Sequence, residues 1–386
     1  MLRMLLVAVA IATLGALPAF LLGAQFVLIG EDLALDERHL GAAVGVFFAS
    51  AALASAPAGA LADRLGPRLS MVAAGGLATT SALVVALLVS SLTGLLIGLA
   101  IAGVANAALQ MTANASLARF IPSGRQGLAF GVKQSAVPLA ILLGGLAVPA
   151  VGLALGWRWT YGLVALFSLL VMFLALAGRS SGRVERSSGV RGDRAPRNAL
   201  LVTGVATTLA NGAANSLGAF LPAWTFSLGM SPGDSGLLLA LGAAACAAGR
   251  VLSGVAGDRR NGRNIPVVAA QMTVGAVGFA LLAQPEITLV VVGALIAFGF
   301  GWSWPGLLIF AVVRVGRDRP AVASSAVQAG GFAGGAVGPP LFGWLIVSTS
   351  YEAGWLAAGG VMVVAAVLLM YARRMFLKDM ATRPIA

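Results

Sequence analysis

The chain has 386 residues, of which 59% are apolar and only 10% charged. Twelve membrane-crossing helices of about 20 residues need about 240 positions, and the apolar fraction nearly supplies them before any of the 51 glycines is counted. A soluble chain is about 25% charged, and a water-soluble fold of this composition would expose far too much apolar surface. A soluble enzyme is excluded, and little chain remains for a large domain outside the membrane.

The rare residues exclude more. One cysteine, Cys246, forbids an internal disulfide and a thiolate metal cage, and one histidine, His39, in a charged loop, leaves no imidazole for a triad or zinc site. No catalytic constellation, metal site or cofactor site is expected. The net charge of +12 could suit nucleic acid. The basic residues, however, are scattered through short loops with no aromatic interleaving and no basic tail, so no such partner is expected.

The apolar stretch from Met4 to Gly30 is longer than the 7–15 residue core of a secretion signal, so it reads as a retained first span. Further apolar runs fall at 40–61, 71–90, 93–117, 127–154 and 159–178, the first being 4–29. After an Arg-, Ser- and Gly-rich stretch at 179–198, which reads as a flexible linker, they resume at 199–229, 235–256, 265–284, 287–313, 322–347 and 353–372. With the N-terminus cytoplasmic, 21 of the 25 basic residues fall on the cytoplasmic side, leaving only Arg38 and Arg158 outside and Lys133 and Arg250 within spans. That asymmetry places both termini and the linker in the cytoplasm.

The two halves repeat. Gly59-Ala-Leu-Ala-Asp63-Arg64 is answered by Gly254-Val-Ala-Gly-Asp258-Arg259 195 positions later, and Arg119 by Arg314 at the same offset. Parallel six-helix halves with a site between them near the midplane are one way transporters are built.

The segment from Gly59 through Asp63, Arg64 and Gly66 to Arg68 resembles the loop 2–3 signature of the major facilitator superfamily, and the span count, linker and repeat extend the likeness over the whole chain. The second copy is degenerate after Arg259. The resemblance implies that Asp63 meets the N-terminus of helix 11, that Arg119 joins it, and that Asp258 and Arg314 form the equivalent cluster against helix 5. Together these would latch the cytoplasmic side.

Two cations lie inside the membrane. Arg250 is eight residues before Asp258, so about 12 Å deeper, and Lys133 is six past Gly127, about 9 Å deep. Such charges point to function, and no span interior holds a carboxylate to pair with them. Water, backbone carbonyls or an anionic substrate must serve, and a guanidinium suits an oxyanion. Snorkelling to the interface is the plainer reading of Lys133.

Polar residues gather with them. Asn106, Gln110 and Asn114 share one face of helix 4, and Thr207, Asn211 and Asn215 one face of helix 7. Each stripe suits a ligand or helix–helix hydrogen bonding equally. Gln134 and Gln328 occupy equivalent places in helices 5 and 11. Trp302 and Trp304 flank a serine before Pro305, where a broken helix could expose backbone groups. The segments around Lys133-Gln134 and residues 301–305 loosely resemble the cyanate/anion-transporter branch. Proton-coupled drug exporters of the superfamily carry an arginine inside helix 4 and a Gly-Pro signature in helix 5. Both are missing here.

The sequence thus reads as an all-α membrane protein of twelve transmembrane helices in two pseudo-symmetric six-helix bundles, residues 1–178 and 199–386. The function expected is transport of a small organic or inorganic anion by alternating access, in the inner membrane, by a monomer whose partners are the lipid bilayer and its small-molecule substrate. A drug or metabolite efflux carrier of the same fold is the alternative. A receptor or channel is a more distant one.

Overall fold

A computed structural model describes residues 2–120, 132–177, 196–258, 264–315 and 320–382. All twelve expected spans are helices. In the first half these are α1 (Leu2–Ala24), α2 (Glu37–Ala62), α3 (Arg68–Leu88), α4 (Leu92–Phe120), α5 (Ala136–Leu155) and α6 (Trp157–Ala177). The second half contains α7 (Arg197–Ser227), α8 (Pro232–Asp258), α9 (Asn264–Leu282), α10 (beginning at Ile287), α11 (Pro320–Ser348) and α12 (Tyr351–Thr382). A short extension, Phe26–Leu33, follows α1.

Local chemistry sets the joints. Gly66, at φ 74° and ψ 169°, turns the chain between α2 and α3 in a conformation that essentially only glycine adopts. His39 belongs to the first turn of α2 rather than to a loop. It completes a capping box in which Asp36 Oδ1 accepts from the His39 amide at 3.1 Å and the Asp36 amide donates to His39 Nδ1 at 3.2 Å.

Among the described residues eleven helices are long and apolar enough to cross a membrane, and α7 is the exception. It is also the best shielded, since every residue from Ala210 to Thr225 is buried. Its polar groups bond to its own backbone one turn back: Thr203 to Ala199, Thr207 to Thr203, Asn211 to Thr207, Asn215 to Asn211 and Ser216 to Gly212. Surrounded by protein and self-satisfied, α7 needs no lipid-compatible surface.

The halves meet through three helix pairs: α1 with α7, α2 with α11 and α5 with α8. The approaches are close at the end of the bundle where α2 and α8 begin, here called distal. A Cβ on Gly41 would collide with the Pro339 carbonyl, one on Gly343 would lie 2.5 Å from the Glu37 carbonyl, and one on Gly236 would lie 2.7 Å from the Gly145 carbonyl. Gly41 and Gly236 are 195 positions apart, and Gly145 and Pro340 likewise. The repeat therefore carries the α2–α11 contact onto α8–α5. Tyr351 adds a distal bond across the halves, its hydroxyl donating to Glu37 Oε1 at 3.1 Å.

Replacing Gly236 by Val should cost about 1–3 kcal/mol through overpacking, read as a lowered thermal unfolding midpoint of the purified protein. Gly254→Val, where a Cβ would meet nothing within 4 Å, should leave that midpoint unchanged.

Candidate functional site

Two prolines prepare the site. Pro138 has no amide hydrogen, so the carbonyl of Gln134, four residues earlier, lacks its helical partner. Gln134 and Ser135 form a turn before α5 begins. Pro305 does the same on α10: the helix passes through a π-turn at Ala297–Gly301, breaks at residues 302–304 and restarts as Pro305–Val315. The Gly301 carbonyl is taken by Trp304 Nε1 at 2.7 Å, while the Trp302 carbonyl stays open to α8.

Arg250 on α8 uses both openings. Nη1 donates to the Gln134 carbonyl of the first half, and Nη2 to the Trp302 carbonyl of the second at 3.2 Å. The guanidinium is partly buried, and its Nε is buried with no acceptor. Cys246, one turn earlier, shares the Trp302 carbonyl through an Sγ contact of 3.4 Å. Arg250 lies fourteen residues along α8 from Gly236, about 21 Å at 1.5 Å per residue. It thus joins the halves well away from the distal glycine contacts.

Lys133 immediately precedes Gln134 and is 5% exposed, and it makes no hydrogen bond or salt bridge to a described residue. Around this point α1 touches both neighbours. Thr13 Oγ1 donates to the Ala136 carbonyl at 3.3 Å, and Gly15 leaves room beside Asn106. The buried Asn106 accepts from Gln110 Nε2 at 3.4 Å.

The Trp302 ring spans the boundary, with its centroid 5.9 Å from that of Phe20 on α1 and 5.7 Å from that of Phe298, in a space left by Gly218 of α7. Trp304 was expected to flank the pocket with it, but is fully buried within the second half and bonded to its own helix. Asn211 faces a different neighbour from that expected of a ligand group, and Asn215 is buried. Asn211 packs against Gly331 and Gly334 of α11, and both amides donate along α7. Gln328 is exposed on α11. Gln134, Arg250 and Trp302 are brought together across the halves by direct contact, with Lys133 adjoining, while Gln110 meets Asn106 and Asn215 meets Asn211 within their own helices.

Residues not anticipated complete the surroundings. Gln271, in the middle of apolar α9, donates through Nε2 to Ser253 at 2.6 Å and Ser303 at 3.3 Å, bracing the break in α10 from behind. Among the described residues no cluster of His, Cys, Asp or Glu could hold a metal ion.

Of the expected latch, Arg259 and the side chains of Asp63, Arg119, Asp258 and Arg314 lie outside the described part of the structure. Arg64 is exposed. Arg68 caps α6, donating to the carbonyls of Ala175, at 3.2 Å, and Leu176. A cation at a helix C-terminus is favoured by the dipole and by free carbonyls. Gly59 meets only Met111 of its own half.

Paired six-helix halves bridged by an arginine define a membrane transporter, not an enzyme. The chain belongs to the major facilitator superfamily, whose family model matches residues 4–270 and 203–380. It is 29% identical to a chloramphenicol resistance protein of Streptomyces lividans over 95% of this chain and 94% of that one. Identity is 29% with monocarboxylate transporter 13 of Rattus norvegicus, over 81% and 74% of the two chains. A putative tartrate transporter of Agrobacterium vitis is 24% identical over 90% and 87%. Among solved structures, the D-xylose-proton symporter superposes with TM-score 0.78 at 17% identity, over 95% and 96% of the chains. An inward-facing bacterial homolog of the human lysosomal transporter Spinster gives 0.77 at 17%, over 98% of each.

Arg68→Gln should speed amide hydrogen exchange several-fold in the last turn of α6 and leave α11 unchanged. A latch running through Arg68 to the other half would require a change in α11.

Proposed function

We propose that this transporter carries a small anion by alternating access, with Arg250 as its charge clamp and Lys133 beside it. One observation carries the reading: Arg250 bridges the halves, buried Lys133 adjoins its Gln134 partner, and neither pairs with a carboxylate among the described residues. Arg250 is held by backbone carbonyls alone, and Lys133 has no described partner. Bare cations at membrane depth are expensive, and an oxyanion meeting both would relieve the cost. Two of the five guanidinium N–H groups are spent on carbonyls, which leaves donors for a ligand. Gln134, Asn106 and Gln110 would orient it.

In this reading residues 1–178 and 199–386 are the two moving units, with residues 179–198 linking them. The distal end faces outward, both termini lie in the cytoplasm of a cell whose inner membrane holds the protein, and a monomer suffices. The described state, tight at the distal end, is then inward-facing. Relatives named for monocarboxylate and tartrate transport agree with an organic anion. The relative named for chloramphenicol resistance, which matches nearly the whole chain, favours drug export as the second reading.

The test is uptake into proteoliposomes. The wild-type protein should accumulate labelled lactate or tartrate, and Arg250→Ala should lower uptake about tenfold to a hundredfold, the worth of a lost charge-assisted bond, with insertion unchanged. Arg250→Lys should recover only part of it. Full uptake by Arg250→Ala, or export of chloramphenicol with no anion flux, overturns the proposal.

A further inference from the structure

α12 has 32 residues. At 1.5 Å per residue it is about 48 Å long, against about 30 Å for the hydrocarbon layer, so its last turns stand at headgroup level. Val363, Val367 and Tyr371 recur every four residues along one face and are 44%, 63% and 55% exposed. Arg374 and Lys378 continue that row beyond the tyrosine, and both are exposed. An apolar row leading through an aromatic ring to cations reproduces, along a single helix face, the layering of a lipid leaflet.

The row ends in a cleft of about 740 Å³ between these turns and the start of α7. Arg197, Arg374 and Lys378 line it with one carboxylate, Asp379, so positive charge dominates. None of the three cations makes a salt bridge to a described residue. Other peripheral arginines are engaged: Arg68 caps α6, and Arg158 pairs with Asp32 at 2.5 Å while donating to the Val89 carbonyl at 2.9 Å. Orientation signalling explains basic residues at this level, but does not require three of them to line one cleft.

We propose that this cleft binds the phosphate of an anionic phospholipid, with the headgroup between Arg197, Arg374 and Lys378 and an acyl chain along Val363 and Val367. The site lies apart from the transport pathway and goes beyond the function proposed above. The exposed apolar row is what favours a lipid over free phosphate, which would have no use for it.

The full chain, purified in a neutral detergent, is titrated with dilauroyl phosphatidylglycerol, with the phosphatidylcholine of the same chains and with inorganic phosphate, and thermal stability is followed. Phosphatidylglycerol should raise the unfolding midpoint, and the other two should not. Near a charged surface each basic residue contributes about 1 kcal/mol, so R374Q with K378Q should weaken the apparent affinity by about thirtyfold. R197Q alone should weaken it about fivefold. R68Q, with its arginine already committed to α6, should respond like the wild type. An equal response to phosphatidylcholine, a response to inorganic phosphate matching that to phosphatidylglycerol, or undiminished affinity in both R374Q/K378Q and R197Q overturns the proposal.

Discussion

The structure turns on a guanidinium that bridges the two halves and pairs with no carboxylate among the described residues. Arg250 is accommodated because Pro138 leaves the Gln134 carbonyl of the first half without its helical partner and the break in α10 leaves the Trp302 carbonyl of the second half open. A backbone carbonyl is a weaker counterpart than a carboxylate, since it offers a dipole and not a charge. That difference matters functionally. A carboxylate would neutralise the arginine permanently, whereas carbonyls hold it in place and leave its charge uncompensated for a ligand.

The same junction shows how one interface can be both firm and reversible. The distal contacts are made by glycines and prolines approaching backbone to backbone, with dispersion and shape as the adhesive. Such contacts involve no ion pair that must be broken, and the repeat supplies them twice, at Gly41 and at Gly236. The polar ties between the halves among the described residues are few, Tyr351 to Glu37 and Arg250 to Gln134. Two half-bundles joined in this way can rock against each other at modest cost, as alternating access requires.

Much of this was legible in the sequence because the bilayer imposes a strong length and polarity code. The twelve spans, the repeat, the buried position of Arg250 and the broken helix before Pro305 all follow from one-dimensional patterns. What was not legible depends on which faces meet. The Asn211 and Asn215 stripe has the spacing of a ligand face, but Asn211 lies against glycines of α11, sequence-distant residues that no periodicity reveals. Trp304 differs from Trp302 by two positions and by the direction the chain takes after the break. The acceptors of Arg68 are backbone oxygens of α6, which have no signature in the sequence at all. Pro138 could have been read as freeing the Gln134 carbonyl, but pairing that oxygen with Arg250 requires knowing that α5 faces α8.

The polarity of α7 has a consequence for biogenesis. Membrane insertion of a nascent segment is scored largely by its own hydrophobicity, and on that score α7 is the weakest of the twelve. Its glycine-rich partner α11 is synthesised more than a hundred residues later. Until then the ribosome has delivered a segment that neither lipid nor water suits well. Of the helices that α7 packs against, α1 is already made when α7 emerges, so the amino-terminal bundle offers it a protein surface before its carboxy-terminal partners exist.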